Sequence, residues 1–193
     1  SREGKPVVVT AKIMNPATEL AIRQPGALAW NGAFIAREVI AADETKLTFG
    51  GIDEAPSLST INTAVVFYQA VSVYRAQSLR GRKSGILATD GQFIEGKVLE
   101  IKAGEVEVQS VLFGRKKYKI NSYVVAVVFS TSGRAQEVYR VRTRNGMIHV
   151  AKTVKADNAS LQLNSTTIAS VKLQRDEIQE IEHGMLANPL NAA

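Results

Sequence analysis

Along the middle of this chain, apolar and polar positions alternate in short bursts cut by turn residues. Residues 86–89 read as a strand, Asp90-Gly91 as a type I′ hairpin turn that needs positive φ, and 93–101 as a long strand. Apolar parity changes within that long strand: Ile94 and Val98 share one face, Leu99 and Ile101 the other. A change of face predicts a bulge or a sharp bend. Lys102-Ala103-Gly104 turns, 105–109 alternates with period two, and Phe113-Gly114-Arg115-Lys116 turns again. Residues 117–120 alternate once more, Asn121-Ser122 punctuates, and 124–129 closes a five-stranded meander.

The same pattern occurs three times. Gly26-Ala-Leu-Ala-Trp-Asn-Gly32-Ala-Phe34 parallels Gly85-Ile-Leu-Ala-Thr-Asp-Gly91-Gln-Phe93, and a looser copy reads Tyr139-Arg-Val-Arg-Thr-Arg-Asn-Gly146-Met-Ile148. Self-similarity at a nearly fixed spacing decides architecture before any other signal. In the third copy, 147–154 is the long strand, Asp157-Asn158 turns, Leu161 and Leu163 point inward, Val171 and Leu173 follow, and Arg175-Asp176-Glu177 forms one helical turn. In the first, 34–41 and 46–49 fit strands, 50–56 is a longer loop, and 65–68 closes the unit. Residues 7–13 read as a strand and Asn15-Pro16 as the start of a short helix to about Arg23. Proline is absent between Pro56 and Pro189, which suits continuous sheet.

The expected fold is therefore all-β: three tandem antiparallel meanders, as small barrels or a pseudo-threefold assembly, after a short N-terminal strand and helix. The boundaries are 1–25 for the N-terminal segment, 26–75, 82–130 and 136–184 for the repeats, and 185–193 for a frayed tail. Phe34, Phe93 and Ile148 should occupy equivalent places, and Ile101, Val108, Ile120, Leu163 and Leu173 should be buried. At 193 residues and 45% hydrophobic, the chain is long and apolar enough for a real core. Units below about 60 residues bury little surface alone, so the repeats should pack on one another.

The absence of cysteine excludes disulfides, thiolate nucleophiles and cysteine metal sites. The longest wholly apolar run, 123–129, is far short of the ~20 residues of a spanning helix. The start at Ser1, without methionine, points to a processed product or a piece of something longer. The net charge of +6 is uneven: 26–67 is acidic, whereas 68–84 carries Arg75, Arg80, Arg82 and Lys83 and no acid. That is not the continuous basic stripe of a dedicated nucleic-acid binder.

Candidate chemistry is sparse. Gly91-Gln-Phe-Ile-Glu-Gly96-Lys97-Val98 fits a phosphate-loop spacing, but Val98 replaces the Ser or Thr that holds magnesium, and the surroundings read as strand. His149 and His183 have no partner at zinc-ligand spacing, His149 sitting mid-strand and His183 just past the last strand. No nucleophile elbow is present, and the Asp53/Glu54 and Asp176/Glu177 pairs fall in turns. No catalytic residue, metal or cofactor is expected. Two basic clusters, Arg80-Gly-Arg82-Lys83 and Arg115-Lys116-Lys117-Tyr118-Lys119, suit phosphate contacts or plain solvation of turns. Trp30 suits hairpin packing or, if exposed, a glycan or protein contact. Asn158-Ala-Ser160 and Asn164-Ser-Thr166 match a glycosylation sequon, meaningful only in a eukaryotic secretory setting.

The stretch Thr89-Asp-Gly-Gln-Phe-Ile-Glu-Gly-Lys-Val98, with Ile120 and a closing valine strand, resembles an Sm/SH3-like small-barrel repeat. It is also similar to D-G-x-x-x-x-G-x-V repeats of large bacterial secreted or surface proteins, which accompany carbohydrate-associated modules. Ala36 and Ala151 stand where the second copy has Gly96. Sm proteins carry Arg-Gly in their fourth strand, whereas Arg80-Gly81 lies in a connector, so RNA binding does not carry over. The resemblance implies a non-catalytic interaction module of an extracytoplasmic multidomain protein, binding a glycan or protein partner. The alternative is an Sm-like nucleic-acid binder using the basic turns. The candidate contact residues are Trp30, Arg80, Arg82, Lys83, Arg115, Lys116 and Lys117.

Overall fold

The computed structural model describes residues 9–10, 22–51, 57–130, 136–165 and 170–186. The expected helix after Asn15, the Asp53/Glu54 pair and the tail from Asn188 lie outside them. Of the N-terminal strand, the described part is β1 (Val9–Thr10). Next come β2 (Gly26–Ala29), β3 (Phe34–Ile35), β4 (Val39–Ala42), β5 (Leu47–Phe49) and β6 (Thr63–Phe67). A helix, α1 (Val73–Gln77), leads to β7 (Gly85–Ala88), β8 (Phe93–Glu95), β9 (Lys97–Lys102), β10 (Glu105–Ser110), β11 (Gly114–Lys119) and β12 (Val124–Val128). The last stretch holds β13 (Gln136–Thr143), β14 (Ile148–Ala151), β15 (Thr153–Ala156), β16 (Ser160–Asn164), β17 (Val171–Gln174) and β18 (Ile178–Leu186).

The protein is predominantly β, as the alternation predicts. Its strands form a ten-stranded sheet in the order β1-β18-β13-β14-β3-β2-β6-β12-β7-β8, a five-stranded sheet β11-β10-β9-β4-β5 and a three-stranded sheet β15-β16-β17. Pairing is antiparallel except between β1 and β18, which run parallel with Val9 opposite Ile181. The sheets stay open, and no pairing among the described residues closes a barrel.

Three hairpins share one hydrogen-bond pattern. The amides of Gly32, Gly91 and Gly146 each donate to the carbonyl three residues back, on Ala29, Ala88 and Thr143, at 3.0 Å in every case. All three glycines are left-handed, with φ of 87°, 89° and 86°. The preceding side chain caps the loop each time: Asn31, Asp90 and Asn145 accept from the amides of Ala33, Gln92 and Met147 at 3.1, 2.9 and 3.3 Å. Only Ala103 among described non-glycine residues has positive φ, so Asp90-Gly91 is not the expected type I′ turn. It is a three-residue loop ended by a left-handed glycine. The type I′ geometry occurs instead at Ala103-Gly104, with φ of 52° and 76°, where Lys102 faces Glu105.

The expected long strands are each interrupted. Between β8 and β9 the break is Gly96, where a Cβ would lie 2.6 Å from Val108 Cγ1 and 2.7 Å from the Gln109 carbonyl oxygen. Residues 36–38 separate β3 from β4, and Lys152 separates β14 from β15. The predicted irregularity is also found: Val98 and Glu100 face Val108 and Glu107, leaving Leu99 as the extra residue of a bulge. Each break sends the first half of the strand into the large sheet and the second half into a smaller one.

The main core lies between the large and the five-stranded sheets. Ala27, Ile35, Val66, Ile86 and Val127 meet Val39, Leu47, Phe49, Ile101, Val106 and Val108 there. A second core covers the other face of the large sheet, where Ala76 and Leu79 pack on Leu28, Phe34, Val65, Phe67, Leu87 and Val128. The middle strands are thus buried on both faces. This explains why β6 (TAVVF) and β12 (VVAVV) are buried at every position rather than at alternate ones. Each such aliphatic or aromatic side chain contributes about 1.5–3 kcal/mol of burial. A third core, with Val141, Leu161, Leu163, Leu173 and Ile181, lies against the three-stranded sheet.

Helix α1 was not expected in the connector 68–84. Ser72 caps it by accepting from the Arg75 amide, and burial of Ala76 and Leu79 holds it on the sheet. Arg175–Glu177 does form one helical turn, of the 3-10 kind, with Gln174 and Glu177 making a reciprocal capping box.

Candidate interaction surface

The sequence-predicted contact residues occupy three different elements. Trp30 is half-buried in the first hairpin loop, and its indole N–H donates to Asn62 Oδ1 at 3.1 Å. Its backbone amide also donates to the Asn62 carbonyl at 3.0 Å. The ring is therefore held against the start of β6, which is the hairpin-packing role.

Arg80, Arg82 and Lys83 follow α1. The Arg82 guanidinium sits 5.2 Å from the centroid of the Phe93 ring, and its Nε donates to the Ser78 carbonyl at 3.2 Å. Arg80 is only half-exposed, and its Nε is buried. Lys83 is exposed. Arg82 thus fastens the connector to the sheet through Phe93.

Arg115 and Lys116 lie on a strand, β11, and not in the turn predicted there, and Lys117 lies on the same strand, as its alternation predicts. β11 is the outermost strand of the five-stranded sheet and pairs with β10 along its whole length, from Ser110 opposite Gly114 to Glu105 opposite Lys119. Val106, Val108 and Tyr118 face the core. Tyr118 stacks on Tyr123 with ring centroids 5.7 Å apart, and Lys116 Nζ lies 5.8 Å from the Tyr118 ring. Glu107 takes both Arg115 donors, with Nη2 3.0 Å from Oε2. The Arg115 hydrogen bond holds the Glu107 carboxyl below its usual range, while the same bond raises the guanidinium.

The feature that sequence reasoning missed is the tip of this hairpin. Val111, Leu112 and Phe113 are 101%, 84% and 57% exposed, three successive large apolar residues in water. The Ser110 hydroxyl accepts from the Leu112 amide, and left-handed Gly114 (φ 65°) turns the chain back. The available signal was a Val-Leu-Phe run placed immediately before a glycine and three cations.

The histidines have structural settings. His149 is buried, and burial pushes its pKa down. His183 is inside β18, not past the last strand, and packs on Tyr139 with ring centroids 4.3 Å apart. Among the described residues no cluster of three or more His, Asp or Glu is arranged to hold a metal. In the phosphate-loop-like stretch, the Gly96 amide donates to the Ser84 carbonyl, the Val98 amide to Ser84 Oγ, and the Gln92 amide to Asp90. Amides that such a loop would aim at an anion are already used. Asn158 and Asn164 are exposed, and Thr166 lies outside the described residues.

No protein-family model, curated protein or solved structure matches this chain.

Proposed function

We propose that this chain is a non-catalytic interaction module of an extracytoplasmic multidomain protein, built from three tandem SH3/Sm-like units (26–75, 82–130 and 136–184). The repeat reading is supported by three coincidences beyond the hairpin loops. First and last strands pair within each unit, as β2–β6, β7–β12 and β13–β18. Each closing strand carries one extra residue at the same station: Ala64, Val125 and Gln179 are skipped between register partners. The residue after each opening strand, Trp30, Thr89 or Arg144, donates its amide to the residue before the closing strand, Asn62, Tyr123 or Glu177.

The observation that carries the functional reading is the bare apolar tip at residues 111–113. Large apolar side chains held in water mark a contact surface. Apolar contact favours a protein or lipid partner over a glycan held by Trp30, whose ring packs on its own hairpin. The nucleic-acid alternative is weakened by the acids interleaved with the β11 cations, because Glu105 and Glu107 lie opposite Lys119 and Lys117. A glycan array and a nucleic-acid titration at about 150 mM salt test this reading. Both should be weak, and Trp30→Ala should change neither. Saturable glycan binding abolished by Trp30→Ala, or tight nucleic-acid binding lost when Arg80, Arg82, Lys83, Arg115, Lys116 and Lys117 are neutralised, would replace it.

A further inference from the structure

We propose that the β10–β11 hairpin inserts its tip into the surface of an anionic lipid bilayer, an inference that rests on the interaction-module reading and names the partner. The three apolar residues are consecutive in the turn that joins β10 to β11. All three side chains are more than half exposed, so none is covered by the rest of the protein. A fluid acyl layer accepts apolar side chains in any direction.

Charge placement fits the same partner. Strand residues rise about 3.3 Å each, so Arg115, Lys116 and Lys117 stand within roughly 13 Å of Phe113. They would sit at headgroup depth when Leu112 and Phe113 reach the acyl boundary. The long stems of Lys116 and Lys117 let their ammonium groups stay among phosphates while the stems cover apolar surface. Glu107 neutralises Arg115, and Glu105 lies at the opposite end of the hairpin beside Lys119. Glu107 also lies opposite Lys117, so it balances one of the three tip-side cations, and two positive charges remain to meet an anionic surface. An acidic protein surface would reward the cations but not the apolar tip. No described helix is long and apolar enough to cross a membrane, so this is attachment by an apolar tip and its basic collar.

The chain has no cysteine, so a single introduced thiol reports one position. The full chain carrying Leu112→Cys, labelled with a polarity-sensitive dye, is titrated with phosphatidylcholine vesicles with and without phosphatidylglycerol at about 150 mM salt. Lys102→Cys, on β9 opposite Glu105 at the far end of the hairpin, is the control. We expect a blue shift and quenching by brominated acyl chains at position 112 only, on the anionic vesicles. Lys116→Ser with Lys117→Ser should weaken partition by about fivefold per lysine, and Leu112→Asp with Phe113→Asp by on the order of tenfold or more. Circular dichroism should show both variants folded. A dye that stays aqueous on vesicles but responds to polyglutamate or to an oligonucleotide would overturn the lipid assignment and leave the hairpin as the contact surface. Silence towards all three probes would overturn both the lipid assignment and the interaction-module reading.

Discussion

Arg140 and Glu182 face each other across β13 and β18 at the station where Gly26 faces Phe67 and Gly85 faces Val128. The pair is buried, with side chains 9% and 2% exposed, and Arg140 Nε donates to Glu182 Oε2 at 2.7 Å. The β13–β18 pairing thus holds an ion pair at the station where β2–β6 and β7–β12 hold apolar contacts.

Breaking that pair on one side should be costly. Glu182→Leu removes the buried carboxylate that Arg140 meets and should lower unfolding free energy by about 3–5 kcal/mol. Replacing both, Arg140→Met with Glu182→Leu, should be neutral or stabilising by about 1–4 kcal/mol, because neither charge is then desolvated. Urea unfolding of the two variants checks the contrast.

His149 follows Ile148 after its hairpin loop as Ile35 follows Phe34 and Ile94 follows Phe93, and it is buried on a strand facing Val141. Burial lowers its folded-state pKa below the usual 6.5. The unfolded chain then binds more protons as pH falls through 6.5, so stability drops on the acid side until the folded-state pKa is reached. His149→Ile should flatten this decline while leaving stability near pH 8 little changed. Thermal melts between pH 8 and pH 5 measure it.

Two glycines of the second hairpin resist substitution for different reasons. At Gly85 a Cβ would lie 2.3 Å from the Ile94 carbonyl oxygen and 2.8 Å from Phe93 Cζ. Gly85→Ala should therefore cost about 1–3 kcal/mol through overpacking. At Gly91 nothing lies within 4 Å, but φ is +89°. Gly91→Ala should cost about 1–2 kcal/mol, and Gly91→Asn less, because Asn tolerates the left-handed region. Gly85→Asn should be worse than Gly85→Ala. Denaturant midpoints of the four variants separate space from backbone conformation.

Much of this arrangement was legible in the chain. Period-two alternation located β10 and β16, and Ile101, Val108, Ile120, Leu163 and Leu173 are all buried as expected. The Asn-Gly and Asp-Gly dipeptides marked three loops of one geometry, although not the type I′ geometry. Sequence was blind to pairing between distant strands, such as β6 with β12 through Val66 and Val127, because a strand buried on both faces carries no directional pattern. It missed α1 because five residues are too few for helical periodicity. It missed the tip because Leu112 and Phe113 have the composition of core residues, and hydrophobicity alone does not say which apolar residue stays in water.

Trp30 is held by Asn62, so Trp30→Ala should register as lost stability, about 1–3 kcal/mol, rather than lost binding. Asn62→Ala, which leaves the indole N–H without this acceptor, should show a smaller loss in the same direction. Thermal unfolding of both variants, compared with their glycan-array profiles, distinguishes a packing tryptophan from a recognition tryptophan.

The central claim is that this protein works through the β10–β11 hairpin. Amide hydrogen exchange of the full chain, with and without phosphatidylglycerol-containing vesicles, reads the contact surface directly. The account predicts slowed exchange confined to residues around the tip, from Ser110 to Lys117. Slowed exchange centred instead on Trp30 or on Arg80 to Lys83, or no slowing anywhere, would contradict it.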